Sequence, residues 1–464
     1  MRISPMITVS VALITLILVG IVGARIVQPD RPLLTDVSFS LKAISPNADG
    51  FEDVTEIKYV LNRPAQVSIT FTNQDSGTVF HFREQAARPP NTYQVLFSGV
   101  VEGYTLPGET IEGVVERRLM PNGRYTWLLS VQGENGESAT QSGELTISGA
   151  DPRLPAMRSF EVAPQIFTPN QDGYDDRIAV NLYLGKEADL TVWLENDQNG
   201  PYYIAERTDG ARKPGEEGAR TFDYDGGVDN NMTPPPDGEY RLIAVAQDKE
   251  GQRVRREVHL TIKDSGKPNA EIVAQSTGRT VTWESHPYED VYFTNAETPG
   301  KAVEPPTGVQ STLAVITLPQ SDLLIFSLTI SNYGTVPIRT IGPFPGTVYQ
   351  YDQTDAAMKS ASDREAISGA WRVGVQCERS ESSYPWRWAL GTAETLTAVE
   401  RDDETLWYLM PGQKTLVWGA VRMTRLIPTR NPQKCFVALI HEDVAIPPLQ
   451  NRVGEIDVKL EPKP

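Results

Sequence analysis

The sequence predicts an all-β chain: three β-sandwich domains in tandem behind one apolar N-terminal helix. Three observations predict it. Short runs alternate apolar and polar residues, turn residues separate the runs, and a whole block of sequence is repeated. The 464 residues allow about two to four domains of ordinary size. A hydrophobic fraction of 39% and a charged fraction of 22% are those of a folded chain. With 36 glycines and 35 prolines the chain is rich in turn formers.

The helix comes first in the chain. Met6 to Ala24 reads MITVSVALITLILVGIVGA, 19 residues without a charge, flanked by Arg2 and Arg25. At about 1.5 Å per residue that run spans a bilayer. Residues 1–5 would then be a cytoplasmic n-region, 6–24 a transmembrane signal anchor and 25–34 a linker. The run is longer than the usual apolar core of a signal peptide, which favours the anchor. Val22-Gly23-Ala24 also fits a cleavage site, and cleavage would make the chain secreted. Both readings put the bulk of the chain outside the cytoplasm, in the cell envelope.

Strands follow. Glu56 to Leu61 sets Ile57, Tyr59 and Leu61 on one face, and Ala65 to Phe71 does the same with Val67, Ile69 and Phe71. Period-two alternation is the pattern of half-buried strands. Pro121-Asn122-Gly123 and Asn135-Gly136 are turn signals. SPNADGFEDVTEIKYVL at Ser45 recurs as TPNQDGYDDRIAVNLYL at Thr168, 123 residues on. NGRYTWLLSVQGENGE at Asn122 recurs as DGEYRLIAVAQDKEGQ at Asp237, 115 residues on, so the second copy is eight residues shorter between the landmarks. Each copy ends in LTI, at Leu145 and at Leu260. The first domain is therefore expected over 35–149 and the second over 155–264.

These landmarks, [ST]PNxDGxxD, the later [ND]GxY and the closing strand, resemble the FlgD-like immunoglobulin-like domain of bacterial envelope and secreted proteins. DYDGG at Asp223 ahead of PPPDGEY is similar to that family's W-x-G…G…PxGxY region. The resemblance covers about 35–264, in two copies. It implies Ig-like sandwiches and accessory or structural modules without catalytic residues. The separate assembly segment of the hook-capping protein has no counterpart here, so the resemblance does not imply a flagellar role.

A third sandwich with long loops is expected over 268–460. LLIFSLTI at Leu323 reads as a buried strand, and further strands are expected at Trp371–Cys377, Thr405–Leu409, Thr415–Val421 and Cys435–Ile440. Residues 353–367 could hold a short helix.

The acidic turns are the first candidate site. Ser45, Asn47, Asp49, the Phe51 carbonyl, Asp53 and Glu56 fall at positions 1, 3, 5, 7, 9 and 12 of a calcium-loop register, with Gly50 at position 6. Thr168, Asn170, Asp172, the Tyr174 carbonyl and Asp176 repeat it, with Ala179 in place of the twelfth-position Glu. Two readings stand: a structural calcium site, or a turn in which Asn and Asp cap main-chain groups and Gly takes positive φ.

Cys377 and Cys435 are the two cysteines. Outside the cytoplasm a lone pair reads as a disulfide, here across a sandwich, stabilising by roughly 4 kcal/mol in the chain-entropy model. Two buried thiols are the other reading. Five of the eight tryptophans fall between Trp371 and Trp418. SSYPWRW at Ser382 reads as a loop, so Tyr384, Trp386 and Trp388 could stack sugar faces; packing in the core is the other reading. His441-Glu442-Asp443 could make a carboxylate–imidazole pair.

The exclusions are firmer. A net charge of −17 repels phosphate backbones, so nucleic acid is not an expected partner. Four histidines and two cysteines leave little for a zinc or thiol centre. No GxSxG, HExxH, Walker or dinucleotide motif is present. The expectation is a non-enzymatic cell-surface protein, structural or adhesive, held to the membrane by its N-terminal helix, with an Ig-like stalk and a C-terminal recognition domain. Its partners would be envelope proteins or polysaccharide. The alternatives are a carbohydrate-binding envelope protein and a subunit of a secretion or motility assembly.

Overall fold

A computed structural model of the chain describes residues 31–463, apart from 209–212, 276–277, 293–299, 309–313, 354–365, 379, 381, 402–403 and 426–427. Its architecture is all-β. One part of the expected fold is thereby corrected. The transmembrane helix expected at its head has no counterpart among the described residues, none of whose helices is long and apolar enough to cross a membrane. Residues 6–24, and nearly all of 353–367, lie outside the described residues.

The alternation seen in sequence is realised as burial. Ile57, Tyr59, Leu61, Val67, Ile69 and Phe71 all face one core. In the first repeat, Leu34–Phe39, Thr55–Leu61 and Asn91–Phe97 form one sheet in that order. The facing sheet runs Ala43–Ile44, Ser138–Ile147, Gly123–Gly133, Ala65–Asn73, Val79–Arg88. The second repeat has the same plan. Met157–Ala163, Ile178–Leu184 and Gly218–Tyr224 face Ile166–Phe167, Arg253–Ile262, Gly238–Gln247, Asp189–Glu195 and Tyr202–Ile204. Both copies keep a two-residue strand paired in parallel with the closing strand. Both also keep a register shift in the opening strand, with Asp36 at φ 52° and Ser159 at φ 49°. In each, the tyrosine of the [ND]GxY landmark reaches back to a proline carbonyl: Tyr125 to Pro121 at 2.6 Å and Tyr240 to Pro236 at 2.9 Å.

The extra length of the first copy has a structural use. It supplies a hairpin, Val100–Glu102 with Val114–Leu119, whose second strand pairs antiparallel with Arg253–Ile262 of the second domain. One sheet therefore continues across the first junction. Buried Gln252 fixes the chain there, donating to the Asp151 and Arg153 carbonyls at 3.2 and 2.9 Å and accepting from Leu119 N–H at 3.3 Å. Lys186 sits among Asp151, Asp248 and Glu250 at 2.7–2.9 Å. Its ammonium is buried, yet these carboxylates hold its pKa above the usual lysine value.

The C-terminal region has a different plan. Val281–His286, Leu323–Asn332, Lys414–Arg422 and Val348–Gln350 belong to one sheet. Val315–Pro319, Val453–Glu461, Gln433–His441, Trp371–Cys377 and Trp386–Trp388 form a second, and Ile338–Thr340, Glu404–Leu409 and Thr397–Arg401 a third, smaller one. Cys377 and Cys435 are bonded to each other. They are directly opposed on neighbouring antiparallel strands, so the disulfide lies within one sheet and not across the sandwich.

Candidate functional site

The Pro-Asn-x-Asp-Gly segments are tight turns closed by their own aspartates. In the first copy, Asp53 accepts the main-chain N–H of Asn47 and Ala48 on Oδ1, at 3.1 and 2.9 Å, and of Gly50 on Oδ2 at 2.7 Å. Asn47 Oδ1 takes Asp49 N–H, and Asp49 Oδ1 takes Phe51 N–H. Ser45 N–H closes the base on the Glu52 carbonyl at 2.8 Å. Glu56 lies in the following strand, Thr55–Leu61, off its buried face. The second copy closes in the same way with one change: Asp176 takes Asn170, Asp172 and Gly173, so the N–H of Asp172 stands in for that of Gln171, the counterpart of Ala48, while Asn170 takes Asp172 and Asp172 takes Tyr174. Thr168 Oγ1 donates to the Tyr174 carbonyl at 2.8 Å.

In this geometry the turn's own donors compete with calcium for the same oxygens. The ion needs about six to eight oxygens with free lone pairs converging on it. Here main-chain N–H donors occupy the closing carboxylates, and a hydroxyl donor occupies the Tyr174 carbonyl. Among the described residues no group of three His, Cys, Asp or Glu side chains is placed to hold a metal. The turn reading accounts for the conserved spacing between the two copies: carboxylates cap N–H groups, and glycine takes φ 87° at Gly50 and 92° at Gly173.

The surroundings of the two turns differ completely. The second turn is seated in the C-terminal domain. Arg339, 1% exposed, donates to the carbonyls of Asp172, Ala366 and Ser368. Its guanidinium and that of Arg401 lie 4.9 and 4.8 Å from the Tyr174 ring centroid. Arg401 also pairs with Asp175. Tyr408 Oη donates to Asp172 Oδ2 at 3.0 Å. His441 Nε2 lies 2.7 Å from the Gln171 carbonyl, so that nitrogen carries the proton, and its ring stacks on Trp371 at 4.6 Å.

Burial sets the electrostatics of this seat. It raises the Asp172 carboxyl against the pull of Tyr174 N–H, Tyr408, Arg339 and Arg401. Burial and the Asp172 charge push Asp176 up to about 7 despite its three N–H donors. Burial, with Arg339 nearby, pushes His441 down to about 4, while main-chain bonds at Gln171 and Gly369 pull the other way. Burial and the Asp172 charge raise Tyr408 well above the usual tyrosine value.

The other expected sites resolve differently. Tyr384, Trp386 and Trp388 are 3%, 1% and 0% exposed. The aromatic sugar platform expected at Ser382–Trp388 is therefore corrected: Trp386 and Trp388 alternate inward from a strand and fill the core. Trp388 meets Phe326 and Tyr349 edge-on and donates to the Thr347 carbonyl at 3.1 Å. His441 and Glu442 do not pair with one another. Glu442 is held by Arg372 and Arg387 in a buried cluster. Sequence reasoning passed over Arg339 and Arg401. A charge inside the apolar run Val336 to Ile341 was the available sign that Arg339 meets a buried acceptor.

No protein-family model matches the chain, and no curated protein matches it. Among solved structures it is similar to a calcium-stabilised ice-binding adhesin of an Antarctic bacterium, at 9% identity, over 92% of this chain and 74% of that one, with a TM-score of 0.21. It is also similar to a Bacteroides ovatus mixed-linkage glucan-utilisation protein, SGBP-B, at 11% identity, over 94% and 70%, with a TM-score of 0.14. A Porphyromonas gingivalis protein of unknown function matches at 16% identity, over 65% and 99%, with a TM-score of 0.13. At such scores the likeness carries no argument about this chain.

Proposed function

We propose that the protein is a non-catalytic, extracytoplasmic structural or adhesive protein whose three sandwich domains are held in fixed relation to one another. The observation that supports this most is that both junctions are built. A continuous sheet spans the first, and an arginine-held turn fills the second. Flexible linkers would have needed neither. The Cys377–Cys435 disulfide supports a compartment outside the cytoplasm. The repeated topology and the repeated tyrosine-to-proline bond support reading 35–264 as two FlgD-like Ig-like domains.

Two measurements test the reading on the full chain. Spin labels on the first and third domains should give one narrow distance distribution, which Arg339→Glu broadens. Beads coated with the parent chain should attach to bacterial surfaces more firmly than beads coated with Arg339→Glu. A broad distribution in the parent, or turnover of any substrate abolished by a single carboxylate change, would overturn it.

A further inference from the structure

The first turn has the conformation of the second without its seat. Ala48, Gly50 and Glu52 have φ of 60°, 87° and 55°, against 59°, 92° and 50° at Gln171, Gly173 and Asp175. The shape is thus set by the turn's own hydrogen bonds and is present before any docking, which lowers the cost of binding. Yet Phe51, the counterpart of the arginine-clasped Tyr174, is 71% exposed, and nothing approaches within 4 Å of a side chain built at Gly50.

We propose that the Pro46–Asp53 turn is a docking knob for the arginine seat of a second copy of this chain, so that copies associate head to tail. Each contact made by the second turn has a matching group in the first. The Asp49 carbonyl stands where Asp172 accepts from Arg339, and the Asp49 carboxylate stands where Asp172 accepts from Tyr408. The Phe51 ring offers the same face to two guanidiniums, and Tyr174 meets them through its ring. Glu52 replaces Asp175 as the carboxylate for Arg401. The Ala48 carbonyl replaces that of Gln171 opposite His441. The knob carries Asp49, Glu52 and Asp53, and the seat carries Arg339 and Arg401, so the charges are complementary.

Each seat is filled by its own second turn. A second copy competes only when that turn is released. The contact joins unlike surfaces, so it produces open chains or rings rather than closed twofold dimers.

Sedimentation velocity on full-length variants tests this. Tyr174→Ala/Asp175→Lys removes the ring and the carboxylate that Arg339 and Arg401 hold, which loosens the second turn in its seat, and leaves the first turn intact. Its self-association should be at least about tenfold tighter than the parent's, and adding Phe51→Ala/Glu52→Lys should return it to the parent value. Asp175→Lys alone, which breaks only the ion pair with Arg401, should shift association the same way by less. Circular dichroism and a non-reducing gel check that the domains and the disulfide are intact. A folded double variant that sediments like the parent overturns the proposal. So does association that persists undiminished after Phe51 and Glu52 are replaced.

Discussion

The two Pro-Asn-x-Asp-Gly turns have one backbone and two environments. In the first domain the aspartates look onto solvent and satisfy only their own loop. In the second, the same loop is a buried joint between domains, holding an arginine, a tyrosine and a histidine of the next one. Local sequence determines the shape of the turn. Whether the turn acts as a cap or as a joint is determined by residues some 170 to 270 positions away.

Paired substitutions make that contrast measurable. The largest effect belongs to Arg339→Ala, which strips a charged donor from three main-chain carbonyls in a buried setting. Calorimetry should show roughly 5 kcal/mol lost and separate melting of the second and third domains. Changing Phe51 to Ala should cost under about 0.5 kcal/mol. Next come the glycines. Gly50→Ala meets only the left-handed backbone penalty, roughly 1–2 kcal/mol. Gly173→Ala adds a collision with the Ser368 carbonyl, for a total of about 4 kcal/mol. Equal costs at the two glycines would show that the joint yields.

Acidity separates the turns further. His441 titrates near 4 in the folded chain, below its ordinary 6.5, so folding excludes a proton and stability rises with pH between about 4 and 6.5. Asp176 is raised from 3.8 to about 7, so folding retains a proton and stability falls with pH between about 4 and 7. The two slopes oppose each other. Asp176→Asn should uncover the histidine slope, roughly 3 kcal/mol over that window, in urea titrations at stepped pH. His441→Gln should tilt the profile the other way. The smallest expected effect is that of chelation. Excess EDTA or added calcium should leave the melting temperature unchanged, because the turn oxygens already have donors. A calcium-dependent shift removed by Asp53→Asn would return the metal reading.

The first two domains were largely legible. Alternation at Ile57, Tyr59, Leu61 and Val67, Ile69, Phe71 reports burial directly, because strand periodicity and facing cores are local consequences of sequence. The strand Trp371–Cys377 was readable to the residue. SSYPWRW was not, since a three-residue strand is too short to show its period, and clustered tryptophans look alike in a core and on a rim. The joint was also illegible. Nothing in TPNQDGYDD distinguishes a turn that will be buried from SPNADGFED, which stays exposed. The deciding groups, Arg339 and Tyr408, are distant in the chain. The calcium register was ambiguous for a physical reason: capping and coordination ask for the same oxygens at the same steps, and only the direction of the N–H groups separates them.

The hairpin that the first domain lends to the second has a consequence for how such a chain can evolve. Modules joined only by linkers can be shuffled, doubled or deleted without regard to order. Here Val114–Leu119 is the edge partner of Arg253–Ile262, so the first module works only beside a neighbour offering that edge. Inserting a third copy between the two, or exchanging their order, would expose an unpaired strand at each new boundary. The repeat has stopped being an interchangeable unit, and duplication of one domain alone has become a poor way to lengthen this protein.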